Sequence, residues 1–194
     1  GPVTQVVILA ALHGEALDGM NLTALAKRFQ VSAMSLSRTL DELETLGVAK
    51  PHTVGRQRQI QWALRDRDLW KAVETRLQSP IRKIRTVRGV LLDRDAPLTG
   101  ESALARFTML AEPRFPQRAI AATRWKQVQE NFDLQVGFGF DDRDRIEVET
   151  WSYDPRVFAR DAVVDRLSLH LSMRHNPDER VAEAAQQLLE PFGW

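Results

Sequence analysis

The sequence of 194 residues contains no cysteine, and this absence excludes several kinds of chemistry. Disulfides, thiolate zinc sites and cysteine nucleophiles all need the thiol, and a chain without it suits a reducing cytosol. The sequence also lacks long apolar runs: none approaches the roughly 18 residues of a membrane span, and no signal peptide opens the chain. We therefore expect a cytoplasmic protein with no membrane partner.

The remaining composition is typical of a globular protein with one or two domains. Apolar residues make up 43% of the chain and charged residues 27%, which is enough for buried cores. The net charge of +1 hides an asymmetry, because residues 66–128 carry 13 Lys and Arg against 7 Asp and Glu, whereas residues 129–194 carry 7 against 14. The basic middle could extend a phosphate-facing surface, and the acidic end could attract either a basic partner or that middle.

Residues 21–62 are the most informative segment, because helix and turn signals follow one another closely. Asn21 is a good N-cap for a short support helix over residues 22–30. The apolar face of that helix is formed by Leu22, Leu25, Ala26 and Phe29. Ser32 caps a second helix, residues 32–46, whose core-facing stripe consists of Leu36, Leu40, Leu43 and Leu46.

A basic hairpin is predicted to follow the second helix. Gly47 supplies the helix C-cap, and residues 48–52 and 56–62 alternate well enough to form two strands around a turn at Val54 and Gly55. This order is that of a winged helix-turn-helix, which places one helix in the DNA major groove and the hairpin, or wing, on the flanking backbone. We predict such a domain over residues 3–78.

DNA contacts are predicted in the first half of the second helix and in the wing. Small, hydroxylated residues let the helix sit deeply in a groove, and Arg38 can grip guanine O6 and N7, or a phosphate, in bidentate fashion. Asp41, Glu42 and Glu44 exclude the rest of the helix, because their charge repels phosphate. The predicted DNA-binding residues are Ser32, Ala33, Ser35, Ser37, Arg38, Lys50, His52, Arg56 and Arg58.

The segment from Val31 to Trp62 resembles the recognition helix and wing of MarR-like and related winged-helix regulators. The shared pattern is a Ser-Arg pair in mid-helix, a Leu-Glu-x-x-Gly exit and a basic wing, here Ser37-Arg38, Leu43-Glu44 with Gly47, and Arg56 with Arg58. The resemblance implies a transcriptional regulator that binds double-stranded DNA, and such regulators commonly act as homodimers. The chain departs from ordinary MarR-like proteins in lacking a long pair of flanking dimerisation helices.

A second interpretation of the same segment stays open. Helix-turn-helix topology occurs in many proteins that bind no DNA, and Lys and Arg on a hairpin often form only a solvated surface. On this interpretation the winged helix is a protein-interaction or assembly module of a larger, defence-type protein. Gly1 and Pro2 look like a protease scar, and the abrupt helix start at Thr4 would then follow a missing region that carries the activity.

The rest of the sequence predicts a small mixed α/β domain over residues 79–194, of sensing or partner-binding type, so that the fold class is α+β. A helix over residues 66–77 ends the first domain at Ser79-Pro80. Four strands are predicted at residues 83–90, 118–122, 134–140 and 145–153, the last two as a hairpin. Four helices are predicted at residues 99–110, 123–129, 163–173 and 177–189, the last with Asn176 as its N-cap.

Each enzymatic interpretation of this domain fails a spacing test. The glycines of GFGFDDRDRIEVE are predicted in a strand, which excludes a dinucleotide-binding loop. A restriction-type nuclease needs a lysine two residues after a strand glutamate, and neither Glu147 nor Glu149 is followed by one. Asp141, Asp142 and Asp144 fit a solvated turn better than a magnesium site. Thr99 and Ser102 offer helix capping, because the Walker lysine and its flanking glycines are missing. The histidines, His13, His52, His170 and His175, show no metal spacing. We predict no catalytic residue, metal or cofactor, and hence no enzyme.

Residues 98–128 resemble the C-terminal domain of type IV abortive-infection (AbiEi-type) antitoxins. In that family a winged helix precedes an α/β domain with a small-residue, Ser-Ala-Leu-like helix start and a short strand. The matching positions here are Gly100, Ser102, Ala103, Leu104 and the strand over residues 118–122. The resemblance implies an antitoxin that represses its own operon and neutralises a nucleotidyltransferase-like toxin as its protein partner.

Overall fold

The computed structural model describes residues 1–137, 139 and 141–194 of a mixed α/β protein. The chain divides into two compact units, Gly1–Leu77 together with Phe192–Trp194, and Gln78–Pro191. The last three residues, which the sequence assigns to the second domain, thus belong to the first unit. No helix among the described residues is long and apolar enough to cross a membrane.

The first unit contains four helices and a short hairpin. Its elements are α1 (Pro2–Leu12), α2 (Leu22–Phe29), α3 (Ala33–Thr45), β1 (Thr53–Val54), β2 (Gln57–Arg58) and α4 (Asp66–Val73). The predicted caps are confirmed: Asn21 Oδ1 accepts from Ala24 N at 2.9 Å, and Ser32 Oγ accepts from Ser35 N at 3.1 Å. Helix α4 is shorter than predicted and ends at Val73 instead of Leu77.

The core of the first unit forms where α1 packs against α3 and α4. Most of the predicted stripe of α3 is confirmed, because Leu36, Leu40 and Leu43 are at most 2% exposed. Leu46, also predicted in the stripe, follows the end of α3 at Thr45 and is half-buried. Helix α1 is apolar on nearly all sides and is buried from Thr4 to Ala10. Burial of each large aliphatic side chain contributes about 1.5–3 kcal/mol, and this core fixes the orientation of α3.

The hairpin turn lies one residue later than predicted. Thr53 pairs with Arg58 and Val54 with Gln57, so the two turn residues are Gly55 and Arg56. The physical reason is the backbone of Gly55, whose φ of +61° suits the first position of a tight two-residue turn. The same register continues outward through hydrogen bonds from Gln59 N to His52 O at 3.0 Å and from Lys50 N to Gln61 O at 2.8 Å.

The second unit is built on a four-stranded sheet with the order β4-β6-β3-β5. The strands are β3 (Ile81–Arg88), β4 (Gln117–Ala121), β5 (Gln135–Val136) and β6 (Arg145–Trp151). Strand β3 is antiparallel to β6 and β5, whereas β4 is parallel to β6. The predicted hairpin of residues 134–140 with 145–153 is therefore wrong, because β3 lies between β5 and β6. Phe138 and Phe140, which the prediction included, lie outside the described residues.

Helices pack around this sheet in two apolar clusters. They are α5 (Gly100–Phe107), α6 (Trp125–Asn131), α7 (Arg166–Met173) and α8 (Glu179–Gln187). Trp151 of β6 lies in one cluster with residues of α5, α7 and α8, whereas Val87 and Val148 lie in the other with Val128 of α6. Helices α7 and α8 begin later than predicted, because Asp165 accepts from Ser168 N and Asp178 accepts from Arg180 N. The N-cap of α8 is therefore Asp178 instead of the predicted Asn176.

The start of α5 differs from the predicted capping arrangement. Thr99 occupies the N-cap position, but its hydroxyl donates to Glu149 Oε2 at 2.8 Å instead of capping the helix. The Glu101 N–H donates to Gln117 Oε1 at 2.6 Å, and Ser102 Oγ accepts from Gln117 N at 3.0 Å. A side chain from the neighbouring strand β4 thus satisfies this helix end.

Candidate nucleic-acid interface

The first turn of α3 presents small polar side chains to solvent. Ser32 and Ala33 are exposed, and Ser35 is half-buried with its hydroxyl 2.9 Å from that of Ser32. The first four N–H groups of a helix have no intrahelical partner, and the helix dipole favours anions at this end. This turn therefore combines a hydroxyl pair, a small side chain and an electropositive backbone.

Arg38 lies on the same helix and is exposed. The contact recorded for its guanidinium is with Met34, whose Sδ lies 3.9 Å from Nη2, and Met34 itself is 68% exposed. None of the carboxylates that the structure describes lies within ion-pair distance of Arg38. Because a thioether sulfur is only a weak acceptor, the guanidinium is consequently available to an external acceptor.

Arg58, in contrast, is occupied inside the first unit. Its guanidinium forms ion pairs with Asp41 Oδ1 and Glu44 Oε1, both at 2.8 Å, and donates to the Ser37 carbonyl at 3.3 Å. The side chain is 25% exposed. Among the predicted DNA contacts, Arg58 therefore holds the hairpin against α3 instead of pointing a free charge outward.

The acidic second half of α3 has internal partners. Asp41 and Glu44 are paired with Arg58, and Glu42 accepts a hydrogen bond from the Thr4 hydroxyl. The Thr4 hydrogen bond, with help from the N-terminal ammonium group, holds the pKa of Glu42 below its usual value. Pairing with Arg58 reduces the repulsion of phosphate that the sequence predicts for this half of the helix.

The hairpin carries two further cations that are open to solvent. Arg56 lies in the turn and Lys50 precedes β1, and both are exposed without an ion pair among the described residues. His52 is half-buried. Gln57 Oε1 accepts from Asn21 Nδ2 at 2.9 Å, which ties the hairpin to the start of α2.

Arg58 brings the two predicted contact regions together, because its bond to the Ser37 carbonyl ends one residue from Arg38. Met34 was not among the predicted contacts, although it lies on this surface. The signal for it was available in the sequence, since Met34 falls outside the buried stripe of Leu36, Leu40 and Leu43. A large apolar side chain off the core stripe of a helix is expected to be exposed.

Two of the carboxylates considered for a metal site in the second unit have local partners. Asp141 pairs with Arg143 at 3.0 Å, and Asp142 pairs with Arg114. Among the residues described, no group of three or more His, Asp and Glu could hold a metal ion. The basic side chains of β3 are not all available to an external ligand either. Arg85 stacks on Trp125, 4.7 Å from the ring centroid, and donates to the Thr150 hydroxyl.

Glu149 is the most unusual of these groups, since its carboxylate is buried on β6. The side chain is 3% exposed and accepts from Thr99 Oγ1 at 2.8 Å and Trp151 Nε1 at 2.9 Å. Burial raises its pKa from 4.5 to about 7, against the opposing effect of the two hydrogen bonds. Burial also raises the pKa of the neighbouring Glu147, and Glu101 adds to the shift.

Comparison with protein-family models, curated proteins and solved structures gave no significant match. A functional assignment therefore depends on the side chains of α3 and of the hairpin.

Proposed function

We propose that the first unit is a winged helix-turn-helix and that the chain is a DNA-binding transcriptional regulator. The observation that carries this proposal is the exposed, unpaired Arg38 in the first half of α3, beside a hairpin with exposed Lys50 and Arg56. Three cations without counter-ions on α3 and its neighbouring hairpin form a surface suited to phosphates and base edges.

In the proposed complex, the first half of α3 enters the major groove. Arg38 contacts guanine O6 and N7 or a phosphate, while Ser32, Ser35 and Ser37 supply hydroxyls to phosphates or base edges. Arg56, Lys50 and His52 contact the flanking backbone. Arg58 is a positioning residue, because its ion pairs with Asp41 and Glu44 set the angle between the hairpin and the helix.

The proposed DNA binding also suggests an oligomeric state for the protein. Winged-helix regulators bind palindromic sites as two-fold dimers, so we propose a cytoplasmic homodimer. The autorepressing antitoxin role, with a toxin bound at the second unit, rests on the resemblance of residues 98–128 alone. A direct test of that role is whether the chain rescues growth of cells that express a nucleotidyltransferase encoded beside it.

Selection of bound sequences from random duplex DNA, followed by mobility shifts, tests DNA binding. We expect Arg38→Ala to lose about 1–3 kcal/mol of binding free energy and to relax base preference. Affinity should also fall steeply with salt. Lys71→Ala is the matched control, because it removes the same charge from an exposed position on α4. Unchanged binding by Arg38→Ala, or equal losses in both variants, would contradict the proposal.

A protein-interaction module is the second candidate function. It is favoured by two exposed apolar side chains on α3 and the hairpin, Met34 at 68% and Val54 at 53%. Its expected signature is a stable protein complex that Met34→Ala weakens, with no DNA affinity at low salt. Mobility shifts and pull-downs with the same two variants, Met34→Ala and Arg38→Ala, separate the two functions.

A further inference from the structure

A cleft of about 510 Å³ opens at one end of the sheet in the second unit. It lies where β3 ends and where β4 and β6 begin, because these antiparallel and parallel pairings bring the three strand ends together. Its walls come from residues 89–92, 114–116, 118, 142 and 144–146. The volume falls in the range of pockets that take small organic molecules, about 300–1,000 Å³.

Arg118 is the buried charge of this cleft. The residue is 8% exposed, and its Nη1 donates to the Ala96 carbonyl at 2.7 Å. Its Nη2 pairs with Asp93 Oδ1 at 3.0 Å, but that carboxylate is 65% exposed and hence well solvated. The Nε–H is buried and has no hydrogen-bond partner among the described residues. A buried guanidinium whose counter-charge is so well solvated can attract a second anion.

Arg145 adds a second cation to the cleft. Its guanidinium lies 4.4 Å from the centroid of the Phe115 ring, and none of the described carboxylates is within ion-pair distance. Arg114 stacks near the same ring at 5.2 Å, but it already pairs with Asp142. Asp144 is the remaining carboxylate of the lining, and it is exposed. The unpaired positive charge is thus on Arg145, beside an aromatic ring.

We propose that this cleft binds a small organic anion, with a phosphate or carboxylate group held by Arg118 and Arg145. Its apolar body packs against Phe115, Leu91 and Ile146, which line the same space. Asp93 occupies one edge of Arg118 in the free protein, and the incoming group replaces it there. The site belongs to the second unit, so its occupancy is measured without DNA and is independent of the proposed DNA binding.

Titration calorimetry with matched pairs of small molecules tests the site. Each pair differs in the anionic group: AMP against adenosine, and benzoate against benzyl alcohol, with inorganic phosphate as a third probe. We expect saturable binding of the anionic member of one pair and none of its neutral counterpart. Binding of AMP identifies a phosphate ligand, and binding of benzoate identifies a carboxylate ligand. Absence of saturable binding for all three anions, up to about 5 mM, overturns the proposal.

Three variants then locate the binding. Arg145→Gln should weaken it about tenfold or more, and Asp93→Asn should strengthen it several-fold, because the competing carboxylate is removed. Arg143→Gln is the control, since that side chain is 84% exposed, pairs with Asp141 and lies outside the lining. Asp93 is exposed, so its variant keeps the test valid if Arg145→Gln fails to fold. Equal affinity in wild type, Arg145→Gln and Asp93→Asn would show an ion bound elsewhere and overturn the assignment.

Discussion

Arg38 and Arg58 carry the same charge, but their surroundings give them different roles. Arg58 joins the hairpin to α3 through Asp41 and Glu44, whereas Arg38 faces solvent. We expect Arg58→Ala to lower the free energy of unfolding of the first unit by about 1–2 kcal/mol, because it leaves two carboxylates without their partner. Urea unfolding followed by circular dichroism measures the change.

Arg38→Ala is the control in the same unfolding experiment. It removes an exposed side chain without an ion pair, so its effect on stability should stay within about 0.5 kcal/mol. The two variants therefore separate stability from DNA affinity. A stability loss for Arg38→Ala as large as that of Arg58→Ala would contradict the roles assigned to them.

Glu149 makes the stability of the second unit depend on pH. Its pKa is about 7 in the folded chain and 4.5 as a free side chain, so the folded state binds the extra proton between these values. Stability therefore falls as pH rises from 4.5 to 7 and stays reduced above it. We expect Glu149→Gln to raise the free energy of unfolding by up to about 3 kcal/mol at pH 8 and by little near pH 4.5.

Urea unfolding at pH 5 and pH 8 measures this difference. The amide oxygen of the glutamine still accepts from Thr99 and Trp151, which keeps both hydrogen bonds. Glu183→Gln on the exposed face of α8 controls for the loss of one negative charge. A gain for Glu149→Gln that is the same at both pH values would mean that the carboxylate does not titrate in this range.

Helices and strands differ in how far the sequence predicts them. Helices α2 and α3 follow from local signals, since Asn21 and Ser32 cap within three residues of their own positions. The position of β6 in the sheet does not follow from local signals, because β6 pairs with β3 and β4, which lie far from it in the sequence. Strand β5 is only two residues long. The Thr99 hydroxyl escapes prediction for the same reason, since its partner Glu149 lies fifty residues away.

In the candidate nucleic-acid interface, too, the sequence predicts local features better than long-range ones. The exposed positions of Arg38 and Arg56 follow from their places off the apolar stripe and in a turn. The inward direction of Arg58 depends on the hairpin register, and the sequence misplaces the turn by one residue. Moving the turn by one residue changes the strand pairing by two residues, so that Arg58 lies opposite Thr53 instead of Pro51. The pairing of the two strands therefore decides whether an arginine of the hairpin is free, as Arg56 is, or forms ion pairs with α3, as Arg58 does.

The start of α5 contains a glycine at which an added side chain would meet Gln117. Gly100 has a φ of +55°, and a Cβ there would lie 2.1 Å from Gln117 Oε1. That oxygen accepts the Glu101 N–H, so it cannot move without losing the cap. We expect Gly100→Ala to destabilise the second unit by about 2–4 kcal/mol, from backbone strain together with overpacking.

Gly55→Ala separates the two contributions. Gly55 has a similar φ of +61°, but no atom lies within 4 Å of an added Cβ, so only strain of about 1–2 kcal/mol is expected. Differential scanning calorimetry of both variants gives the comparison. Equal costs would show that Gln117 gives way and that the cap at Glu101 contributes little.

The last three residues of the sequence, Phe192–Trp194, pack into the first unit. Trp194 stacks on Trp70 with ring centroids 5.0 Å apart and on Phe192 at 4.8 Å, and the Gly193 carbonyl accepts from Arg67 Nη2 at 3.1 Å. An aromatic pair of this kind contributes about 0.5–1.5 kcal/mol beyond area burial. The stability of residues 1–77 thus depends on side chains from the other end of the sequence.

Trp194→Ala should therefore weaken the first unit selectively. We expect a loss of about 1–3 kcal/mol, and faster amide hydrogen exchange in α1 and α4, because the buried Trp70 loses its stacking partner. Exchange in β3 and β6 should stay unchanged. Met109→Ala, at a fully exposed position of the second unit, should change neither. Unchanged exchange in α1 and α4 would mean that the stacking on Trp70 does not stabilise the first unit. Faster exchange in both units would contradict a selective effect.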